Sequence, residues 1–288
     1  MRPVVDALGR FIELKHVPKR VVSIVPSETE TIALLAGVEV LVGRTEYCVE
    51  PRGQIEAVPT VGGTKNAKVE AIEALRPDIV FANQEENTPE IVRKLEEKGI
   101  PVHVSFPKTI EEGRALVYDI AELLGIDPKS SQAIAQMEEE LAQAEAQRKT
   151  RRPLRVFCPI WFDPLMTFND ETFMADMLDL AGGHNIFGDR KRRYPLAADL
   201  GLAPPDEKKA EGRDTRYPRV RIEEVLERAP ELVLLPDEPY PFTEKEAAFF
   251  RSFGLRVCFV AGRDLSWYGL RMGESALRVR AILDRFCA

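Results

Sequence analysis

Histidine is scarce in this chain, cysteine is scattered, long apolar runs are absent, and each shortage removes a class of function. The three histidines, His16, His103 and His184, fall in no HxH or HExxH spacing, so a histidine-built metal site is not expected. His103 lies in an apolar stretch and His184 follows Gly182-Gly183, positions that suit core or capping roles. The four cysteines, Cys48, Cys158, Cys258 and Cys287, show no CxxC spacing and sit in or beside apolar segments. They read as buried free thiols. No GxSxG elbow is present, no GxGxxG follows a strand, and VGGTK lacks the GxxxxGK[ST] spacing of a phosphate loop. No catalytic residue, metal ligand or covalent cofactor is therefore expected, and the chain reads as a non-enzyme. The net charge of -7 argues against nucleic acid, whose binding needs clustered Lys and Arg. With no stretch of about 18 apolar residues, no membrane-spanning helix is expected.

What is present is a cassette that occurs twice. Val69 to Glu85 reads VEAIEALRPDIVFANQE, and IEEVLERAPELVLLPDE follows Arg221. Aligning Glu70 with Glu223 also aligns Pro77 with Pro230 and Val80 with Val233. Each copy predicts an amphipathic helix opening on a carboxylate, a stop at proline, and an apolar strand. Beyond it, LEEKGIPVHV from Leu95 is matched by FRSFGLRVCF from Phe250, with Gly99 and Gly254 where a helix C-cap needs positive φ. Strand–helix alternation also begins both halves, at Arg20 and at Arg155. Alternating elements predict parallel sheets covered on both faces, so the fold class is α/β with two similar lobes.

Between the halves, Asp127-Pro128 opens a Gly-free segment running to Pro153. Asp127 suits an N-cap with Pro128 at N1, and Arg148, Lys149, Arg151 and Arg152 suit the C-terminal dipole. The expected organisation is an N-terminal lobe over 1–126, a connecting helix over 127–152 and a C-terminal lobe over 153–288. Residues 1–14, MRPVVDALGRFIEL, have no apolar leader core and read as a hairpin bending at Leu8-Gly9. As written, that places the chain in the cytoplasm. The alternative is a periplasmic or cell-surface location with a leader missing from this chain.

The run RVVSIVPSETETIALLAGVEVLVGRTEYC, with VPTVGGTKNAKVEAIEALRPDIVFA after it, resembles the class III substrate-binding proteins with a helical backbone. These are the cobalamin- and iron-siderophore-binding components of ABC importers. DETFMADMLDLAGGHNIFGD and YPRVRIEEVLERAPELVLLPDEPYPF extend the resemblance from Asp6 to about Leu283. VVSIVPSETE, TEYC and VGGTKN together are most similar to the cobalamin-binding branch. The resemblance implies two Rossmann-like lobes joined by one long α-helix, a metal chelate such as a corrinoid held in a cleft between them, and a monomer. It also implies docking of an ABC permease by one surface glutamate per lobe, which Glu70 and Glu223 match. Helix-dipole compensation would explain each of those glutamates alone.

In parallel α/β sheets ligands sit beyond the carboxyl ends of strands. Those ends offer Ser27, Glu28, Tyr47, Cys48, Gly63, Thr64 and Asn83 in the first half. The second half offers Trp161, Phe162, Phe168, Trp267, Tyr268 and Arg271. Aromatic faces with a few fixed polar groups suit a large, flat, partly apolar ligand. Ser27 also suits a helix cap. One stretch departs from the repeat: GDRKRRYPLAADLGLAPPDEKKAEGRDTRYPRV is surplus in the second half. Its acidic residues follow the basic run Arg190 to Arg193 closely, which reads as a solvated, mobile loop. The basic run facing an anionic ligand is the other reading. The alternatives to a corrinoid carrier are a ferric-siderophore or haem binder, or a cytoplasmic tetrapyrrole-handling enzyme or sensor on the same scaffold.

Overall fold

The computed structural model describes residues 4–287, which divide into two compact units. Of the described residues, the first comprises 4–138 and 267–271; the second comprises 139–266 and 272–287.

The first unit opens with an antiparallel hairpin, β1 (Val4–Val5) and β2 (Phe11–Ile12), turning through Gly9 at φ 75°. Its main elements are β3 (Val21–Ser23), α1 (Pro26–Ala36), β4 (Leu41–Arg44), α2 (Val69–Ala74), β5 (Ile79–Asn83), α3 (Pro89–Glu97), β6 (Val102–Ser105) and α4 (Ile110–Leu123). The strands form an all-parallel sheet in the order β4-β3-β5-β6. Every residue of β5 and β6 is buried, as expected of a parallel sheet packed on both faces. Val22, Ile24, Ile72, Val80, Leu95 and Val104 carry its core.

Next comes α5 (Gln132–Arg148), which the division between units crosses after Glu138. It starts later than the sequence suggests. Asp127 and Pro128 instead cap a short 3-10 turn over Pro128–Ser130, with Asp127 accepting the Lys129 N–H at 3.1 Å. The basic residues at its end find carboxylates in the second unit: Arg148 pairs with Asp179, and Arg152 with Glu231 at 2.6 Å.

The second unit holds β7 (Leu154–Phe157), α6 (Phe173–Leu180), β8 (Gly183–Asn185), α7 (Leu196–Asp199), α8 (Glu207–Ala210), α9 (Ile222–Glu227), β9 (Leu232–Pro236), α10 (Glu244–Ser252), β10 (Val257–Val260), α11 (Arg263–Ser266) and α12 (Met272–Asp284). Its parallel sheet runs β10-β9-β7-β8. Thr243 and Glu246 form a reciprocal capping box at the start of α10.

The doubled cassette holds down to single backbone angles. α2 and α9 are each followed, two residues on, by a non-glycine residue with positive φ, Arg76 at 47° and Ala229 at 46°, both just before the paired prolines. Proline disfavours α-region backbone in the residue before it, and in both copies that residue takes the left-handed region. One arginine per copy covers the exposed helix carbonyls. Arg20 Nε donates to Leu75 at 3.0 Å, and Arg155 Nε donates to Ala229 at 3.3 Å. The acidic residue after each proline closes the clip: Asp78 accepts the Arg20 N–H and Glu231 accepts the Arg155 N–H, both at 3.0 Å.

Residues 201–214 of the surplus stretch are exposed or half-buried, as a solvated loop would be, but residues 190–199 are anchored. Arg190, Tyr194, Ala198 and Asp199 are all buried. The Asp199 carboxylate accepts from the Arg190 guanidinium at 3.2 Å and from the backbone N–H groups of Arg193 and Arg219, each at 2.8 Å. Arg190 also pairs with Glu224 of α9 at 3.1 Å. The high charge content that suggested solvation is partly internal pairing.

Candidate functional site

At the carboxyl end of the first unit's sheet a polar network is built from three strands. β5 ends in Asn83 and β6 in Ser105, while α1 opens just beyond β3. Asn83 Nδ2 donates to Ser105 Oγ at 3.0 Å and to the Tyr268 hydroxyl at 2.9 Å. Ser105 and Tyr268 in turn donate to Glu28 Oε1, the latter at 3.1 Å. Asn87 ties the network to the loop carrying Thr64, with Nδ2 donating to the Thr64 carbonyl at 2.9 Å and Oδ1 accepting the Asn83 N–H at 2.8 Å. Glu28 is 1% exposed and its Oε2 has no hydrogen-bond partner. Burial pushes its carboxyl up to about 8; the bonds from Ser105 and Tyr268 oppose that shift and the charge of Glu86 adds to it. Burial and the neighbouring Glu28 also raise the Tyr268 phenol.

Residues 267–271 join this unit through further contacts. The Leu270 N–H donates to Thr31 Oγ1 at 3.3 Å, and Arg271 pairs with Glu30 at 2.8 Å. Gly269 sits at φ 103°, and a Cβ there would lie 2.1 Å from Thr31 Oγ1, so both conformation and space demand glycine. The Arg271 guanidinium lies 5.1 Å from the Trp267 ring centroid.

The sequence-derived site residues separate into two kinds. Ser27, Glu28, Thr64, Asn83, Tyr268 and Arg271 gather around or beside this network. Tyr47 is open, and a Cβ on Gly63 would come within 3.2 Å of its ring; Gly62 and Gly63 make a tight turn, with Asn66 accepting the Gly63 N–H at 3.0 Å. Cys48 is a correction. Its thiol is fully buried, bonded by Thr29 at 3.0 Å and Thr45 at 3.1 Å, and desolvation raises its pKa, so it offers no surface to a ligand. Trp267 is buried at 8% exposure and Phe168 wholly so; both serve packing. Ser27 does not cap α1, because Val25 occupies the N-cap and makes no side-chain bond.

In the second unit an open aromatic cluster surrounds Trp161. Tyr240 meets Trp161 edge-on at 5.3 Å, and Phe162 lies 6.4 Å from Tyr240 and 5.4 Å from Phe249. Trp161 and Phe249 are exposed while Phe250 beneath is fully buried, so the rings form a platform anchored in the core. Tyr240 and Phe249 were not anticipated. PYPF directly after the Pro236-Asp237-Glu238 strand end was the available signal for Tyr240, whereas Ser105 and Asn87 carried none beyond their place after apolar runs. His103 is a core residue of β6, and burial lowers its pKa to about 4. Among the described residues no group of three or more His, Cys, Asp or Glu gathers to hold a metal ion. No described helix is long and apolar enough to cross a membrane.

Comparisons with known proteins add a lineage to this geometry. A family model described as periplasmic binding protein matches residues 21–251. The chain is 28% identical over 218 residues to a vitamin B12-binding protein of Vibrio parahaemolyticus, covering 75% of this chain and 70% of that one. It is also 28% identical over 192 residues to an uncharacterized ABC transporter substrate-binding lipoprotein of Bacillus subtilis, covering 64% of this chain and 60% of that one. Its fold is that of a periplasmic heme-binding protein from Roseiflexus, with TM-score 0.71, 20% identity and coverage of 93% and 98%. The cytoplasmic location expected from residues 1–14 is overturned by these matches, which are to periplasmic and lipoprotein binding proteins and point outside the cytoplasm. Two parallel-sheet units with open groups beyond their strand ends, matched over most of their length by that model, place the chain in the periplasmic binding protein family.

Proposed function

We propose that this chain captures a corrinoid or kindred planar metal chelate for ABC-type import. The open platform of Trp161, Phe162, Tyr240 and Phe249 carries the reading: a large face of rings, fixed from below, suits stacking on a flat macrocycle. The vitamin B12-binding relative supports a cobalamin-like ligand, and the heme-binding neighbour supports the fold and keeps haem as the second reading. Ligand capture uses no chemical step, so chelates are expected to be released unchanged. Purified protein incubated with cobalamin, cobinamide, haem and ferric siderophores is expected to co-elute with a corrinoid. The quenching of fluorescence is expected to weaken most in Trp161→Phe and little in Trp267→Phe. Failure of every chelate to bind would overturn the reading.

We further propose that Glu70 and Glu223 dock the permease. Both are exposed and open the equivalent helices α2 and α9. Matched negative charges fix orientation and speed encounter more than they raise affinity. Reversing both to arginine is expected to abolish transport in reconstituted vesicles while chelate affinity stays unchanged. Undiminished transport would sink the assignment.

A further inference from the structure

The surplus stretch carries more positive charge than its ion pairs account for: the buried Arg190 is paired with Asp199 and Glu224, whereas Arg192, Arg213 and Arg219 stand at half-buried and exposed positions. Two arginine-bearing runs lie side by side: the Arg192 N–H donates to the Thr215 carbonyl at 2.8 Å, and the Asp199 carboxylate holds the N–H groups of Arg193 and Arg219. Tyr194 is buried between two guanidinium groups, with Arg192 4.5 Å and Arg213 5.1 Å from its ring centroid. The local acids are committed elsewhere. Asp199 pairs with Arg190, and Asp214 pairs with Arg216 at 2.7 Å. Arg219 has its Nε and Nη1 buried with no hydrogen-bond partner. Burial and the charge of Arg192 both disfavour its cationic form. Its Nε and Nη1 do not share an edge of the guanidinium, so each can give one charge-assisted hydrogen bond to an oxyanion that reaches it.

Its position relative to the aromatic platform follows from the backbone. Met166 is bridged antiparallel to Trp161 on one side and to Arg219 on the other. Residues directly opposite across such bridges project to the same face, and two strand spacings amount to about 10 Å. The guanidinium and the Trp161 ring are therefore placed on one face, a charged corner beside an aromatic floor whose rings are tilted against one another. A macrocycle on the floor would bring a peripheral acid to the corner.

We propose that Arg219, supported by Arg192, Arg213 and Tyr194, is an oxyanion subsite that selects chelates bearing a peripheral phosphate or carboxylate. The subsite stands on the arginines themselves; only the identity of the molecule carrying the oxyanion rests on the function proposed above.

The test uses the intact protein and two independent probes. Inorganic phosphate is expected to raise the melting temperature of the wild type and leave Arg219→Gln unmoved. The two chelate pairs differ at an oxyanion: cobalamin against cobinamide, which lacks the phosphodiester, and haem against its dimethyl ester. Within the pair that binds, the wild type is expected to favour the charged member on the order of 10- to 100-fold. Arg219→Gln is expected to level the two by weakening only the charged one, and Arg213→Gln, at an exposed position, to reduce the preference in part. A phosphate shift and a chelate preference that both survive in Arg219→Gln and Arg213→Gln would overturn the subsite. So would equal wild-type binding of both pair members with no response to phosphate, and in that case chelate capture would stand. If phosphate stabilises only the wild type while no chelate binds, the subsite holds for a free oxyanion and chelate capture falls.

Discussion

Asp199→Ala is expected to destabilise the second unit by about 3–5 kcal/mol, the range for breaking a buried charge pair from one side. The Asp199 side chain has no exposed surface, and the Arg190 side chain is 6% exposed. Removing the carboxylate leaves the guanidinium with Glu224 as its one paired carboxylate, beside the backbone carbonyls of Lys191, Asp199 and Arg219, and strips the acceptor from the N–H groups of Arg193 and Arg219. Buried donors left without partners add their desolvation cost to the lost pair. The effect should also spread beyond stability, because Asp199 holds together the two runs that carry Arg192, Arg213 and Arg219. Asp206→Ala provides the contrast: Asp206 caps α8 through the Lys209 N–H at 3.3 Å in a partly open setting, and loss of such a cap costs about 1 kcal/mol. Urea denaturation of both variants distinguishes the cases. An Asp199→Ala loss no larger than that of Asp206→Ala would mean that the stretch is as solvated as its composition suggests.

That stretch marks a boundary between what the sequence discloses and what it hides. The doubled cassette announces two parallel-sheet units because hydrophobic period, proline stops and glycine caps are local signals, and Gly99 and Gly254 do adopt φ of 73° and 78°. The positive φ at Arg76 and Ala229 is hidden, since neither residue type asks for it. It accompanies the turn into proline, where Arg20 and Arg155 bond the carbonyls at the helix end. Charge pairing is hidden for another reason. Composition records Arg190 and Asp199 as two solvent-seeking residues, and only the fold places one against the other. The polar network was legible at Asn83, which ends β5. Ser105 was missed although it ends β6, since a lone serine after apolar residues is a common sight. Trp267 and Tyr268 were assigned together by type, yet residues 267–271 pack into the first unit so that Tyr268 reaches Glu28, 240 positions away, while Trp267 is buried.

The stability of the first unit is expected to fall as pH rises from about 5 to about 8, with Glu28 as the cause. Its folded pKa of about 8 lies above the ordinary 4.5 of an exposed glutamate. Between those values the folded state keeps a proton that the unfolded state has released, so each pH unit removes stability. The contribution is full below about 4.5 and gone above about 8, and its complete span is on the order of 5 kcal/mol. The structure gives the reason: Oε1 accepts from Ser105 and Tyr268, but Oε2 has no donor to stabilise a second negative oxygen. Glu28→Gln keeps the acceptor at the first position and removes the titration. Its absolute stability is expected to drop by a constant amount, since the amide nitrogen inherits an unpartnered place. Its pH profile should be flat across the window where the wild type declines. Trp267 is the tryptophan of the first unit and Trp161 that of the second, so Trp267 emission in a Trp161→Phe background follows this unit alone. Denaturation curves taken at half-unit steps from pH 5 to 9 then give the slope directly. Parallel profiles with and without the Glu28→Gln substitution would show that the buried carboxyl does not carry the proton through this range.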